Sequence, residues 1–148
     1  MTGMGALARP LVLDANILVR AALGPRARGI VERYAADMGL FVPAFCVDEA
    51  REHLPGIVRK RGWDAAPIMV ALDAALEMLQ VVDASMYADT MDEALARLGN
   101  RDPDDAHVLA LALTLACPIW TEDRDFFGTG VATWTSAQVE RYFALPQA

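Results

Sequence analysis

The most informative part of the chain runs from Arg101 to Phe127, RDPDDAHVLALALTLACPIWTEDRDFF. It predicts a helix headed by acids, then a short buried strand at 118–121, then more acids. Asp102 is a typical N-cap and Pro103 suits the first helical position, so the next carboxylates meet the positive end of the helix dipole. Capping does not explain the second acidic group, which follows the strand: Glu122, Asp123 and Asp125. Two acidic clusters are therefore expected at one edge of one sheet.

The rest of the chain alternates strand and helix patterns. Further strands are predicted at 11–13, 40–42, 81–82 and 131–133. Helices are predicted at 16–23, 30–38, 44–61 with a kink or break near Pro55, 64–79, 87–98, 106–116 and 136–143. This alternation predicts an α/β fold, a three-layer α/β/α sandwich around a mainly parallel sheet of about five strands. The length of 148 residues, 55% of them hydrophobic, favours one domain over residues 1–148.

Composition narrows the possible partners and location. The net charge of −7 argues against broad attraction to phosphate backbones, so any nucleic-acid contact must be local. The two cysteines, Cys46 and Cys117, lie in apolar runs without metal-ligand or disulfide spacing, which indicates core residues in a reducing compartment. Neither a membrane span nor a signal-peptide pattern is found in the sequence. We therefore expect a cytoplasmic protein without membrane association.

Acids follow the predicted strands. Open α/β sheets bind ligands at the carboxyl ends of their strands. The sequence places four acids at that edge: Asp14, Glu49, Asp105 and Asp123. Four carboxylates in one site cannot all stay ionised without a compensating cation. Ligands that are all oxygens, without a neighbouring cysteine or histidine, favour Mg²⁺ or Mn²⁺ over zinc.

Four motifs, LVLDANILV, VDEAREHL, DDAHVLALA and TEDRDF, cover nearly the whole chain and together resemble the PIN-domain family of metal-dependent nucleases. Many bacterial members are ribonuclease toxins of the VapC type. By this resemblance the four acids match the family's acidic tetrad. Asn16 matches its small polar residue, and Thr121 matches the polar residue before the fourth acid. Asp104 could exchange roles with Asp105, and Asp125 is an auxiliary candidate.

The resemblance implies hydrolysis of phosphodiester bonds in RNA with a bound metal ion. It makes Asp14 and Asp105 the first choices for direct ligands, with Asp123 and Glu49 beside them or holding coordinated waters. Substrate phosphates need basic side chains near this negative site, and three arginines lie close to it in sequence: Arg20, Arg51 and Arg124. The dense basic run at 59–61 is expected to be a solvated loop. The family also implies a separately encoded antitoxin and a homodimer.

Other classes of α/β protein require residues that this sequence does not have. A haloacid-dehalogenase-like phosphatase needs a second acid and a lysine, where this chain has Asn16 and only Lys60. A receiver domain needs paired acids before the first strand, and a dinucleotide-binding fold needs a glycine-rich loop after it. The remaining alternatives are a PIN-like domain that binds RNA or protein without catalysis, and a housekeeping nuclease without an antitoxin. Among aromatic and imidazole groups, Trp120, Trp134 and His107 are expected to be structural.

Overall fold

A computed structural model describes residues 9–146. Short apolar segments form five strands: β1 Leu11–Leu13, β2 Leu40–Pro43, β3 Gln80–Val82, β4 Ile119–Trp120 and β5 Thr133–Trp134. They pair in parallel in the order β3-β2-β1-β4-β5. Helices flank this sheet, which confirms the predicted α/β fold class.

The middle of the sheet is β1. It pairs with β2 on one side and with β4 on the other, with Val12 opposite both Phe41 and Ile119. All three residues of β1 are fully buried, as expected for a parallel strand that is covered on both faces. The residue that follows β1 therefore emerges at the centre of the carboxyl edge.

Seven α-helices and two 3₁₀ helices complete the described part of the chain. The α-helices are α1 Ala15–Leu23, α2 Pro25–Tyr34, α3 Ala44–Lys60, α4 Ala65–Glu77, α5 Met91–Leu98, α6 Ala106–Leu115 and α7 Val139–Ala144. The 3₁₀ helices are Ala84–Thr90 and Pro103–Asp105. Helix α6 is buried on nearly every side, from Val108 to Ala112, so it holds its acidic head rigidly against the sheet. None of the helices within residues 9–146 is both long and apolar enough to cross a membrane.

Several predicted helix boundaries were wrong. Helix α3 continues through Pro55 instead of breaking there, because Leu54 and Val58 are buried on either side and hold both segments to the core. The predicted helix at 87–98 is a 3₁₀ helix followed by α5, with Tyr87 outside the α-helix. The helix predicted at 30–38 ends at Tyr34 and is followed by a turn. The basic run is not a loop, since Arg59 and Lys60 form the last turn of α3.

The chain after β4 also differs from the prediction. The last strand is at Thr133–Trp134 and not at 131–133, because pairing with β4 sets its register. Helix α7 begins three residues later than predicted. The reason lies at Ser136, whose backbone N–H is donated to Glu122 Oε2 at 2.8 Å and whose hydroxyl accepts from Trp120 Nε1 at 3.0 Å. These contacts hold Ser136 outside the helix.

Candidate active site

Asp14 lies at the centre of the carboxyl edge. It is the N-cap of α1, and its Oδ1 accepts the backbone N–H of Ala15 at 2.6 Å. Its Oδ2 accepts the hydroxyl of Thr121 at 2.8 Å and the amide of Asn16 at 3.2 Å. Only 7% of the residue is exposed. The carboxylate is therefore held in one orientation by donors from the first turn of α1 and from Thr121, which directly follows β4.

The hydroxyl of Thr121 connects the two strands. Besides donating to Asp14, Thr121 Oγ1 accepts from Asn16 Nδ2 at 3.2 Å and from the backbone N–H of Asp123 at 3.0 Å. One proton and two lone pairs are all that a hydroxyl offers, so each is used. The predicted small polar residue and the polar residue before the fourth acid thus belong to one network with Asp14 and Asp123.

Asp123 and Asp125 form a turn after β4. The backbone N–H of Asp125 is donated to Asp123 Oδ1 at 3.2 Å, and Arg101 Nη1 donates to the carbonyl oxygen of Asp125 at 2.7 Å. Asp123 is exposed, whereas Asp125 is half-buried. The fourth acid of the predicted set therefore projects from an ordered turn at the rim of the site.

Asp105 reaches the same edge from the other side, at the head of α6. Burial, then the charge of Asp14, then the nearby carboxyl of Asp125 raise its pKa to about 8. Asp105 Oδ2 is buried and has no hydrogen-bond partner among residues 9–146. The two observations agree, because Asp105 and Asp125 can form a hydrogen bond only when one of them is protonated. As two carboxylates they repel each other.

Glu49 contributes from α3. Its pKa is raised by burial first and then by the charges of Asp104 and Asp14, so it lies within electrostatic reach of both. Glu49 is half-buried, whereas Glu52, one turn further along, is exposed. Asp104 is exposed beside Asp102, which caps the 3₁₀ turn through the backbone N–H of Asp104 at 2.9 Å.

The pKa of Asp14 shows how these acids interact. Burial raises it most, while hydrogen bonds from Thr121 and Ala15 lower it, and the charges of Asp123 and Asp125 raise it further. Asp14 in turn raises the pKa of Asp105. The structure thus brings the carboxylates of the predicted tetrad to one edge of the sheet.

A divalent cation fits the chemistry of this site. The ligands on offer are carboxylate oxygens, and the buried Oδ2 of Asp105 has no hydrogen-bond partner within residues 9–146, which a cation would supply. In the described side-chain positions of residues 9–146, no three His, Cys, Asp or Glu side chains are already grouped closely enough to hold a metal ion. Mutual repulsion of the acids opposes such grouping until a cation compensates for it.

His107 follows the acidic head of α6 and has a structural environment, as predicted. Its Nδ1 lies 2.7 Å from the hydroxyl of Tyr87, and its ring stacks on Phe45 with the centroids 4.0 Å apart. The sequence did not reveal Tyr87 as this partner. An aromatic residue at helical spacing gives no signal that its hydroxyl will contact a histidine twenty positions later.

A cavity of about 720 Å³ opens beside the acids. Asn16, Glu49 and Glu122 form the wall that it shares with the acidic site. Glu122 stabilises this wall, since its backbone N–H is donated to Asn16 Oδ1 at 3.4 Å and its carboxylate binds the N–H of Ser136. Of the three arginines proposed from sequence, only Arg20 lines the cavity.

The other two proposed arginines lie elsewhere. Arg51 forms a salt bridge with Asp73 at 2.8 Å, and Arg124 is exposed outside the cavity lining. Three basic residues that sequence reasoning missed do line it: Arg26, His53 and Arg61. Arg26 lies on α2, whereas His53 lies on α3 and Arg61 is the C-cap of α3. They line one cavity only because α2 and α3 come together in the folded chain.

A parallel α/β sheet with an acidic, oxygen-rich carboxyl edge defines a class of proteins suited to binding divalent cations. A family model described as PIN domain matches residues 12–144. The chain therefore belongs to the PIN-domain family, whose members are generally nucleases. No curated protein sequence matches the chain.

Solved structures share the fold at low sequence identity. PAE2754 from Pyrobaculum aerophilum superposes with a TM-score of 0.70 at 17% identity, covering 92% of this chain and 90% of that chain. VapBC2 from Rickettsia felis, bound to a promoter DNA fragment, gives 0.62 at 15% identity, covering 85% and 98%. A toxin–antitoxin complex from Klebsiella pneumoniae gives 0.59 at 18% identity, covering 85% and 97%.

Proposed function

We propose that this chain is a ribonuclease that depends on Mg²⁺ or Mn²⁺ and serves as the toxin of a toxin–antitoxin pair. The observation that carries the nuclease proposal is the crowding of Asp14 and Asp105, with one buried oxygen of Asp105 lacking a hydrogen-bond partner in the described range 9–146. Such an arrangement costs stability unless a proton or a cation binds. Membership of the PIN-domain family supports phosphodiester hydrolysis as the reaction.

The residues have distinct proposed roles. Asp14 and Asp105 are the direct ligands, and Asp123 and Glu49 bind the ion or its coordinated waters. A divalent cation bound there would lower the pKa of a coordinated water and stabilise negative charge on the phosphate oxygens. Asn16 and Thr121 keep Asp14 in place through their hydrogen bonds.

One carboxylate must accept the proton of the attacking water. Glu49 suits this role, because it stands on a different element from Asp14 and its raised pKa brings it nearer to neutral pH. Asp104 and Asp125 are auxiliary acids that add negative potential at the rim. The expected product is RNA cut by hydrolysis at an internal phosphodiester bond.

The test is cleavage of a mixed RNA pool by purified protein with Mg²⁺, Mn²⁺ or EDTA. Wild type should cleave with either metal and not with EDTA, and Asp123→Asn should lose the activity. Glu52→Gln is the matched control, since Glu52 is exposed one turn beyond Glu49. Cleavage that persists in Asp123→Asn would assign the activity to a contaminant or to another site.

The toxin role rests on a different kind of support. One structure of the same fold is a toxin–antitoxin complex. We expect a small DNA-binding protein to be encoded directly beside this chain and to inhibit its nuclease activity when the two are expressed together. A chain that cleaves RNA but has no such neighbour would be a housekeeping nuclease.

A PIN-like binding module without catalysis is the second candidate. It is favoured by the lack, within residues 9–146, of three acids already grouped around a metal position. RNA binding without cleavage in any metal would support it.

A homodimer is also proposed, and exposed apolar side chains such as Trp63 and Val70 are consistent with a partner surface. Light scattering after size exclusion measures the mass that decides this.

A further inference from the structure

We propose that the cavity beside the acids is a binding site for the phosphate backbone of single-stranded RNA, next to the scissile bond. This inference rests on the proposed nuclease function and adds where the substrate lies. The cavity shares a wall with the acidic site through Asn16 and Glu49. A strand whose scissile phosphate lies at the acids would therefore pass into it.

The positive charge of several side chains that line the cavity is the first observation. Arg20, Arg26 and Arg61 line the cavity together with His53, and all four are exposed. None of the three arginines forms a salt bridge with another residue in the range 9–146, where the ion pairs involve Arg33, Arg51 and Arg97. Their guanidinium groups are therefore available to phosphate oxygens.

The contrast with the rest of the chain is the second observation. The net charge is −7, so the surface as a whole repels nucleic acid. Three arginines and two glutamates line this concave surface, so its arginines oppose that repulsion locally. A substrate bound by these arginines would have the phosphates next to the scissile one directed away from the acids.

Size and lining are the third observation. A volume of about 720 Å³ lies within the roughly 300–1,000 Å³ typical of small-ligand sites, which is enough for one or two nucleotides. Val19, Leu23 and Ile57 provide apolar surface between the arginines, against which the flat face of a base can pack. RNA is favoured over an acidic protein segment because the cavity continues directly into the proposed catalytic edge.

The matched test uses neighbouring basic residues. Arg61 lines the cavity, whereas Arg59, two residues earlier in the sequence, is exposed outside it. Binding is measured by fluorescence anisotropy with a labelled 12-nucleotide single-stranded RNA that carries phosphorothioate linkages, in Mg²⁺. Arg26→Ala and Arg61→Ala should each weaken binding by roughly 3- to 10-fold and lower the salt slope by about 0.7. Arg59→Ala should change neither.

A second variant separates shape from charge. Ala137 is exposed and lines the cavity, so Ala137→Trp fills it without changing the net charge. It should weaken binding by about as much as Arg61→Ala, with circular dichroism confirming that each variant is folded. Equal affinity and salt slope in wild type, Arg61→Ala and Ala137→Trp would overturn the proposal and assign the cavity to a protein partner.

The outcome is separable from that of the proposed function. Binding that depends on Arg61, without cleavage by the wild type, would keep the RNA site and reject the nuclease. Cleavage of the pool at equal rates by wild type, Arg26→Ala and Ala137→Trp would keep the nuclease and reject the RNA site. Loss of wild-type binding in all conditions would also reject it.

Discussion

The two halves of the acidic site differ in how their charges are compensated. In the strand half, formed by Asp14, Asn16, Thr121 and Asp123, hydrogen-bond donors hold the carboxylate of Asp14. In the helix half, formed by Glu49 and Asp105, burial and neighbouring charges raise the pKa of both acids. Asp105 Oδ2 has no hydrogen-bond partner in the part of the chain that the structure describes. The strand half is organised by the protein alone, whereas the helix half requires a proton or a cation.

The largest effect that this comparison predicts is on cleavage. Asp105→Asn should reduce the single-turnover rate of RNA cleavage by about 100- to 1,000-fold, because the amide cannot replace a charged ligand. The control is Asp102→Asn, in which asparagine keeps the N-cap and only an exposed charge is lost. Similar rates in the two variants would mean that Asp105 is no more than a helix-start acid.

The next largest effect concerns the strand half. Thr121→Val should lower the free energy of unfolding by about 2 kcal/mol, since it removes the buried hydroxyl that donates to Asp14 and accepts from Asn16 and from the N–H of Asp123. Urea denaturation measures the change. Thr121→Ser keeps the hydroxyl and should lose less. Thr135 is exposed and its side chain forms no hydrogen bond within residues 9–146, so Thr135→Val should stay within about 0.5 kcal/mol of wild type. A fully stable Thr121→Val would show that the network does not organise the site.

The helix half predicts a pH dependence in EDTA. The pKa of Asp105 is raised to about 8 in the folded chain, above 3.8 in the unfolded one, so folding favours its protonated form. Its contribution to stability is complete below about pH 4 and is lost as the pH rises through 8. Because the group is only half-buried, we expect a loss of about 1–2 kcal/mol.

The variant Asp105→Asn isolates this effect. Its stability should fall less than that of wild type between pH 4 and 8, and at pH 8 it should be the more stable of the two without metal. Chemical denaturation in EDTA at several pH values measures the difference. Parallel curves for the two proteins would show that Asp105 is not strained by its neighbours.

The smallest predicted effect is the gain in stability when a metal ion binds between the two halves. Mg²⁺ at about five times its Kd should stabilise wild type by about 1 kcal/mol and raise Tm by about 2–4 °C. Asp14→Asn keeps the N-cap of α1 and should largely abolish this rise. An equal rise in Asp14→Asn would place the ion away from the strand half.

The sequence predicted the sheet more accurately than the helices around it. Strand positions followed from apolar runs that end in acids or turns, whereas the strand order, with β1 in the middle, is known only from the structure. Helix ends were less predictable, because long-range contacts decide them. Ser136 stays outside α7 only because Glu122 and Trp120 bind it, which no local propensity indicates.

The site divides in the same way. Asp14, Asp105 and Asp123 could be located at one sheet edge because parallel strands end at that edge and the helices between them begin there. The roles of these acids as ligands remain predictions. Of the cavity arginines, the sequence indicated Arg20 but not Arg26 or Arg61, because these two are brought beside it only by the folding of the chain.

Sequence alone determined the fold class and the identity of the acids. The period of the hydrophobic pattern and the residues that follow each strand are local properties of the chain. Tertiary structure decided which carboxylates are hydrogen-bonded and which are left uncompensated. Burial and distance set the difference between these two acids. Asp14 accepts hydrogen bonds from three donors, whereas Asp105 Oδ2 has no hydrogen-bond partner among residues 9–146. Both depend on how β1, β4 and α6 pack together.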